Sequence, residues 1–216
     1  MLVRELMIPK PPVLTPETTL PQALSYMKEK HVRRMPVVDA GGNLVGIISQ
    51  TDLHNAAPSQ ASLLSVWEIP TLLAKITVER MMVKDVATVT EDTPVEAAAQ
   101  IMADRNISCL PVMDGKNVVG MVNQADLFRS FMELLGCRRK GVRIWARTPD
   151  QKGTVAKIAG AITSVSGDIV GLGFQEVVDV KGARWEITVK VREVAKDKLV
   201  EALRPHLIEI LDVREV

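Results

Sequence analysis

Two cysteines, three histidines and the lack of any long apolar run set the first limits on this chain. Cys109 and Cys137 cannot by themselves build a disulfide framework or a metal site. Cys109 lies in the apolar run ISCLPV, where a thiol serves as a small core residue. His31, His54 and His206 are scattered without metal-ligand spacing, and neither cysteine has a base partner nearby in sequence. No metal centre, nucleophilic catalysis or other enzymatic activity is therefore expected. No stretch approaches the ~18 consecutive apolar residues of a membrane helix, and MLVRELMIPKPPV has no signal-like apolar region, so a cytoplasmic protein without membrane contacts is expected. With 27 basic and 26 acidic residues the net charge is +1, which supplies no general attraction to nucleic acid or acidic membranes. The basic stretch RRKGVR, from Arg138 to Arg143, lacks the aromatic interleaving that base stacking needs and reads as a solvated hinge.

What is present is the composition of an ordinary globular protein: 216 residues, 47% hydrophobic and 25% charged. That length suffices for one large domain or two small ones. Charge is unevenly divided. Residues 1–136 carry 12 Lys/Arg and 15 Asp/Glu (−3), and residues 137–216 carry 15 and 11 (+4), hinting at a boundary near Gly136.

The first part of the chain is one unit written twice. At an offset of 75, Met7 falls on Met82, Thr15 on Thr90, Ala23 on Ala98, Met27 on Met102 and Pro36 on Pro111. One residue is then lost where DAGGN becomes DGKN, and at offset 74 Gly46 meets Gly120, Gln50 meets Gln124 and Asp52 meets Asp126. Each copy begins with a short strand (PVLT, VATVT) and continues into a helix with apolar residues at Leu20, Ala23, Leu24, Met27 or Val95, Ala98, Ala99, Met102. Thr18 or Thr19, and Thr93 followed by Pro94, suit the start of that helix. Two β-rich runs around a Gly/Asn turn follow, RMPVVDAGGNLVGIIS and CLPVMDGKNVVGMVN, and then a closing helix. In the second copy Gly136 is placed to end that helix. The expected divisions are 1–57, an apolar connector 58–76 with a helix after Trp67, 77–136, and 137–216.

The strand-to-helix junctions, GIISQTD and GMVNQAD, admit two readings. Ser49-x-x-Asp52 and Asn123-x-x-Asp126 are helix-capping patterns, with an acid suited to the helix dipole. The same geometry also suits a ligand. Free N–H groups at a helix start attract phosphate, and a first-turn carboxylate can accept from both hydroxyls of a ribose. Both roles can hold together.

The duplicated β-α-β-β-α unit, carried by HVRRMPVVD, GNLVGIISQTD, NISCLPVMD and KNVVGMVNQAD, resembles the CBS domain pair, or Bateman module. The resemblance implies two units packed sheet to sheet about a pseudo-twofold axis. It also implies clefts that bind AMP, ADP, ATP or S-adenosylmethionine. The family's Gly-apolar-apolar-Ser/Thr-x-x-Asp signature is complete in the first copy, at Gly46, Ile47, Ile48, Ser49 and Asp52, and departs at Asn123 in the second, leaving Asp126 for the ribose. The same resemblance implies backbone and shape contacts flanking an adenine at Val13, Thr15, Ala87 and Thr90, and at Met35, Pro36, Leu110 and Pro111. Arg33 and Arg34 could fork onto phosphate or form a solvated surface pair; the second copy has Ser108 and Cys109 there.

After residue 136 the pattern changes to βαββαβ, the order of a ferredoxin-like sandwich. VRIWAR alternates like a strand, and a striped helix through Val155, Ile158 and Ile162 follows it and stops at Gly167. This segment resembles an ACT domain, with Asp150 and Gly153 at the turn that would meet an amino-acid ligand; a tight strand-to-helix turn is the plainer reading. The order of modules resembles the acetoin-utilisation (AcuB) group. The fold class expected is mixed α/β (α+β). The function expected is a non-catalytic, dimeric regulator binding an adenosine-containing molecule, or else an oligomerising protein whose CBS pair is a scaffold.

Overall fold

The computed structural model describes residues 1–56, 73, 75–179 and 182–216. The helix expected after Trp67 lies outside the described residues. The chain divides into two compact units, Met1–Leu127 and Phe128–Val216.

The first unit holds both copies of the repeat. In copy one, helix α1 (Leu20–Glu29) is followed by β2 (Arg34–Val38), β3 (Leu44–Ser49) and helix α2 (Gln50–Ala56). In copy two, β4 (Val89–Thr90), helix α3 (Val95–Asp104), β5 (Cys109–Asp114), β6 (Asn117–Asn123) and helix α4 (Gln124–Leu134) follow in the same order. The α1 stripe Leu20, Ala23, Met27 is buried against Met35, Val37, Ile48 and Leu53, as the helical spacing requires. Its equivalents Val95, Ala98 and Met102 are buried in copy two.

The helix starts differ in detail from the sequence reading. Thr19 begins α1 in a capping box with Gln22, whose Oε1 accepts from the Thr19 N–H at 3.0 Å. At α3 the cap position is Pro94, and Thr93 instead accepts from the Thr90 N–H at 3.0 Å, closing the preceding turn. Both helices end the same way. His31 (φ 54°) and Asn106 (φ 52°) are left-handed, and the next N–H reaches back to Met27 and Met102 respectively. These are Schellman ends made without glycine.

The strand topology adds something the repeat pattern did not contain. A short N-terminal strand β1 (Ile8–Pro9) pairs antiparallel with β6 of the other copy, Ile8 opposite Met121. Symmetrically, Val83 forms an antiparallel bridge with Ile47 of β3. Each copy therefore lends its leading segment to its sister's sheet. That exchange explains the glycine of each GII/GMV motif. A Cβ on Gly46 would stand 2.5 Å from Met82 Sδ, and one on Gly120 would stand 2.5 Å from Met7 Sδ. The equivalent residues Asn43 and Asn117 bridge each other, so a local twofold axis passes between them.

The second unit is built as βαββαβ: β7 (Val142–Thr148), α5 (Thr154–Ser164), β8 (Asp168–Asp179), β9 (Gly182–Arg192), α6 (Lys196–Leu203) and β10 (Glu209–Glu215). Its strands form one antiparallel sheet in the order β10-β7-β9-β8. Val142, Ile144, Ala146, Ile187, Val189 and Val191 face Ile158, Ile162, Leu199 and Leu203 of the helices. Two charged residues of β9 are buried and satisfied: Glu186 accepts from Trp145 Nε1 at 2.8 Å, and Lys190 donates to the Gly136 carbonyl at 3.1 Å. Gly136 (φ 63°) ends α4 in a Schellman arrangement, with Cys137 N–H on Met132 O. At the end of α5 the left-handed residue is Ser166 (φ 60°) rather than Gly167. Gly167 is required one place later, where a Cβ would meet Val191 Cγ1 at 2.7 Å.

Candidate functional site

The exchange of leading segments leaves two clefts in the first unit, related by the duplication. The first, about 370 Å³, is lined by Ile47, Ile48, Ser49 and Asp52 of copy one and by Ala87 and Arg105 to Cys109 of copy two. The second, about 450 Å³, is lined by Asn123 and Asp126 of copy two and by Pro11, Pro12 and His31 to Arg34 of copy one. Both volumes suit a small molecule of nucleoside size. Equivalent residues take equivalent places: Asn106 and His31, the two left-handed helix ends, each line the cleft built on the other copy's strand-to-helix junction.

In the first cleft the junction is a reciprocal cap. Asp52 Oδ2 accepts from the Ser49 N–H at 2.8 Å and the Ser49 hydroxyl at 2.6 Å, and Ser49 Oγ accepts from the Asp52 N–H at 3.2 Å. One carboxylate oxygen thus starts α2, while Oδ1 accepts from no described residue and belongs to a half-buried side chain lining the cleft. In the second cleft Asn123 Nδ2 donates to Asp126 Oδ2 at 3.1 Å. The hydroxyl that copy one offers is replaced by an amide that itself donates to the carboxylate.

The cations are distributed unequally. Arg34, exposed at the start of β2 and paired in register with Ser49, lines both clefts; Arg33 lines the second. Arg105 lines the first cleft 3.9 Å from Asp85. Cys109 stands among these groups with 6% exposure, and burial pushes its thiol pKa up against the opposing pull of the Arg34 charge.

Other expected contacts are placed elsewhere. Met35, Pro36, Leu110 and Pro111 are buried in β2 and β5 and are not among the lining residues of either cleft; Met35 packs with α1 and α2 in the core. Val13, Thr15 and Thr90 also lie outside both clefts, with the Thr15 N–H on Thr18 Oγ1 at 3.2 Å in a turn matching that of Thr90. Thr90 lines a separate shallow depression with Lys84 and Lys116. In the second unit Gly153 is left-handed (φ 83°) at the start of α5, and Asp150 supplies no side-chain cap to that helix. Thr154 braces the turn instead, its Oγ1 2.8 Å from the Gln151 carbonyl.

What sequence reading missed is the opposite wall of each cleft: Arg105, Asn106 and Ser108 in the first, and Pro11, Pro12 and His31 in the second. The duplication carried part of that signal: His31 and Asn106, and Pro12 and Ala87, are counterparts 75 positions apart, and each lines one of the two clefts. Among the described residues no group of three His, Cys, Asp or Glu could hold a metal ion, and no helix is long and apolar enough to cross a membrane.

Comparisons with known proteins identify the duplicated unit. The chain is 33% identical over 136 residues to a CBS domain-containing protein of Dictyostelium discoideum, covering 62% of this chain and 94% of that one. It is 32% identical to the L-aspartate semialdehyde sulfurtransferase of Methanocaldococcus jannaschii, but spans only 23% of that enzyme's length. Among solved structures, the CBS domain pair of protein MJ0100 in complex with 5′-methylthioadenosine and S-adenosyl-L-methionine superposes with a TM-score of 0.51 at 30% identity, over 64% of this chain and 98% of that one. A Vibrio cholerae protein named for acetoin utilization (AcuB) gives 0.52 at 28%, covering 64% and 95%. CBSX2 in complex with AMP gives 0.50 at 27%, covering 64% and 98%. The CBS domain model matches residues 3–59 and 78–133, more than half of the chain, and this protein therefore belongs to the CBS domain family.

Proposed function

We propose that this chain is a non-catalytic regulator that senses an adenosine-containing ligand, with the first cleft as its principal site. The observation that carries this reading is the division of labour at Asp52: one carboxylate oxygen holds the helix start, and the other remains for a ribose diol. Ser49 and the N-terminus of α2 stand beside it for a phosphate, with Arg34 and Arg105 within the same cleft. The complexes of related CBS pairs with AMP and with S-adenosyl-L-methionine support the ligand class. Asp126, whose partner is the Asn123 amide where copy one has the Ser49 hydroxyl, would serve a weaker second site. Regulation follows if the ligand binds two arrangements of the protein with different affinity.

The βαββαβ unit is read here as an ACT-type module, either relaying that state or receiving an amino acid at the Gly153 turn, and the protein as a homodimer. A Cβ at Gly153 would meet open space, so the backbone amides there are approachable.

Thermal unfolding against AMP, ADP, ATP and S-adenosylmethionine tests the proposal. A ligand at about 100 times its Kd adds about 2.7 kcal/mol. For a chain of this size the midpoint rises by roughly 5–10 °C. No shift with any of the four would overturn the reading.

A further inference from the structure

The two clefts are equivalent in origin, but they share side chains. Arg34 and Ser108 line both. Arg34 has Cys109 as its counterpart in copy two, and both line the first cleft, so the two equivalent positions lie close together by the local twofold axis. Copy one places a guanidinium there; copy two places a buried thiol that stays uncharged at neutral pH. One cation therefore stands where a symmetric pair would have two. Each cleft also has a cation of its own, Arg105 in the first and Arg33 in the second, and Arg105 is already near Asp85.

We propose that Arg34 is a single anion-binding group shared by the two clefts, so that a phosphate-bearing adenosine ligand in one weakens the binding of a second phosphate-bearing ligand in the other. This rests on the reading of both clefts as adenosine sites. A guanidinium forks onto one phosphate through a fixed planar set of donors and cannot present the same fork in two directions. Two phosphates near one cation also repel each other. A ligand without phosphate makes no demand on Arg34, and it fills one cleft without affecting a nucleotide in the other. The pair would then respond to the balance between charged nucleotides and uncharged nucleosides, not to either alone.

Calorimetric titration of the full chain with ADP, and separately with 5′-methylthioadenosine, tests this. Ala87→Trp fills the first cleft from the wall opposite the Asp52 cap, and Asp52→Ala removes its ribose acceptor as a second route to the same end. With the first cleft closed either way, ADP should bind the second cleft about tenfold more tightly than the second ADP binds the unaltered protein, a difference of about 1.4 kcal/mol. 5′-Methylthioadenosine should show no such gain, and Arg34→Gln, at an exposed position, should remove the gain for ADP. If ADP fills both clefts of the unaltered protein and closing the first leaves the second unchanged, sharing is refuted while the sensor reading stands. If neither compound binds, both fall.

Discussion

Asp52→Asn separates the two duties of the residue at the centre of the first cleft. The present carboxylate uses Oδ2 to accept from the Ser49 N–H at 2.8 Å and the Ser49 hydroxyl at 2.6 Å. An asparagine can keep that cap with its single carbonyl oxygen. Its other terminus is then an NH2 group, which donates and cannot accept from ribose hydroxyls. The folded protein should lose little: a complete loss of the cap, as in Asp52→Ala, costs about 1 kcal/mol. At this chain length that is about 2–4 °C of midpoint. Ligand affinity should fall far more. Hydrogen bonds to a charged group are worth about 1.5–3 kcal/mol, which is roughly ten- to hundredfold in Kd. The assay is paired: unfolding without ligand for stability, and titration calorimetry with ADP for affinity. The expected pattern is an Asn variant that melts near the unaltered protein and binds ADP at least tenfold more weakly. An Asn variant that binds ADP normally would refute the reasoning and leave Asp52 as a helix cap alone.

Two further predictions follow from packing and burial. Gly46→Ala should destabilise, since its Cβ would meet Met82 Sδ at 2.5 Å and the Val83 carbonyl oxygen at 3.1 Å. Overpacking of this kind costs about 1–3 kcal/mol, whereas Gly160→Ala, in the interior of α5 with nothing within 4 Å, should stabilise by about 0.5–1 kcal/mol. Thermal melts of the two variants should move in opposite directions, and a stabilised Gly46→Ala would contradict the exchanged-segment packing. In thiol labelling at neutral pH, Cys137 should react quickly and Cys109 only on unfolding, because Cys109 is buried and its thiol pKa is raised. Equal labelling rates in the native protein would contradict that placement.

Much of the fold was legible because it depends on local rules. The stripes Leu20, Ala23, Met27 and Val95, Ala98, Met102 announce amphipathic helices, and the Gly/Asn turns announce paired strands, in whatever tertiary setting they occur. The Gly136 helix end was legible for the same reason. The pairing of Ile8 with Met121 and of Val83 with Ile47 was not, since periodicity says that a segment is extended and nothing about which sheet it joins. The same limit hid the far walls of the clefts. Asn106 and His31 matter there because the copies face each other, a relation absent from either junction read alone. Met35 and Leu110, whose backbone was expected beside an adenine, have side chains buried in the continuous apolar runs of β2 and β5. At Ser166 and Pro94 the usual glycine and threonine preferences were overridden by packing at Gly167 and by the Thr90–Thr93 turn.

The most direct test of the central claim is the structure of the full chain crystallised with ADP. The account predicts the nucleoside in the first cleft, with ribose hydroxyls donating to Asp52 Oδ1 and the phosphates between the start of α2 and Arg34. ADP bound elsewhere, or a first cleft left empty at saturating ADP while Asp52 keeps only its cap, would contradict it.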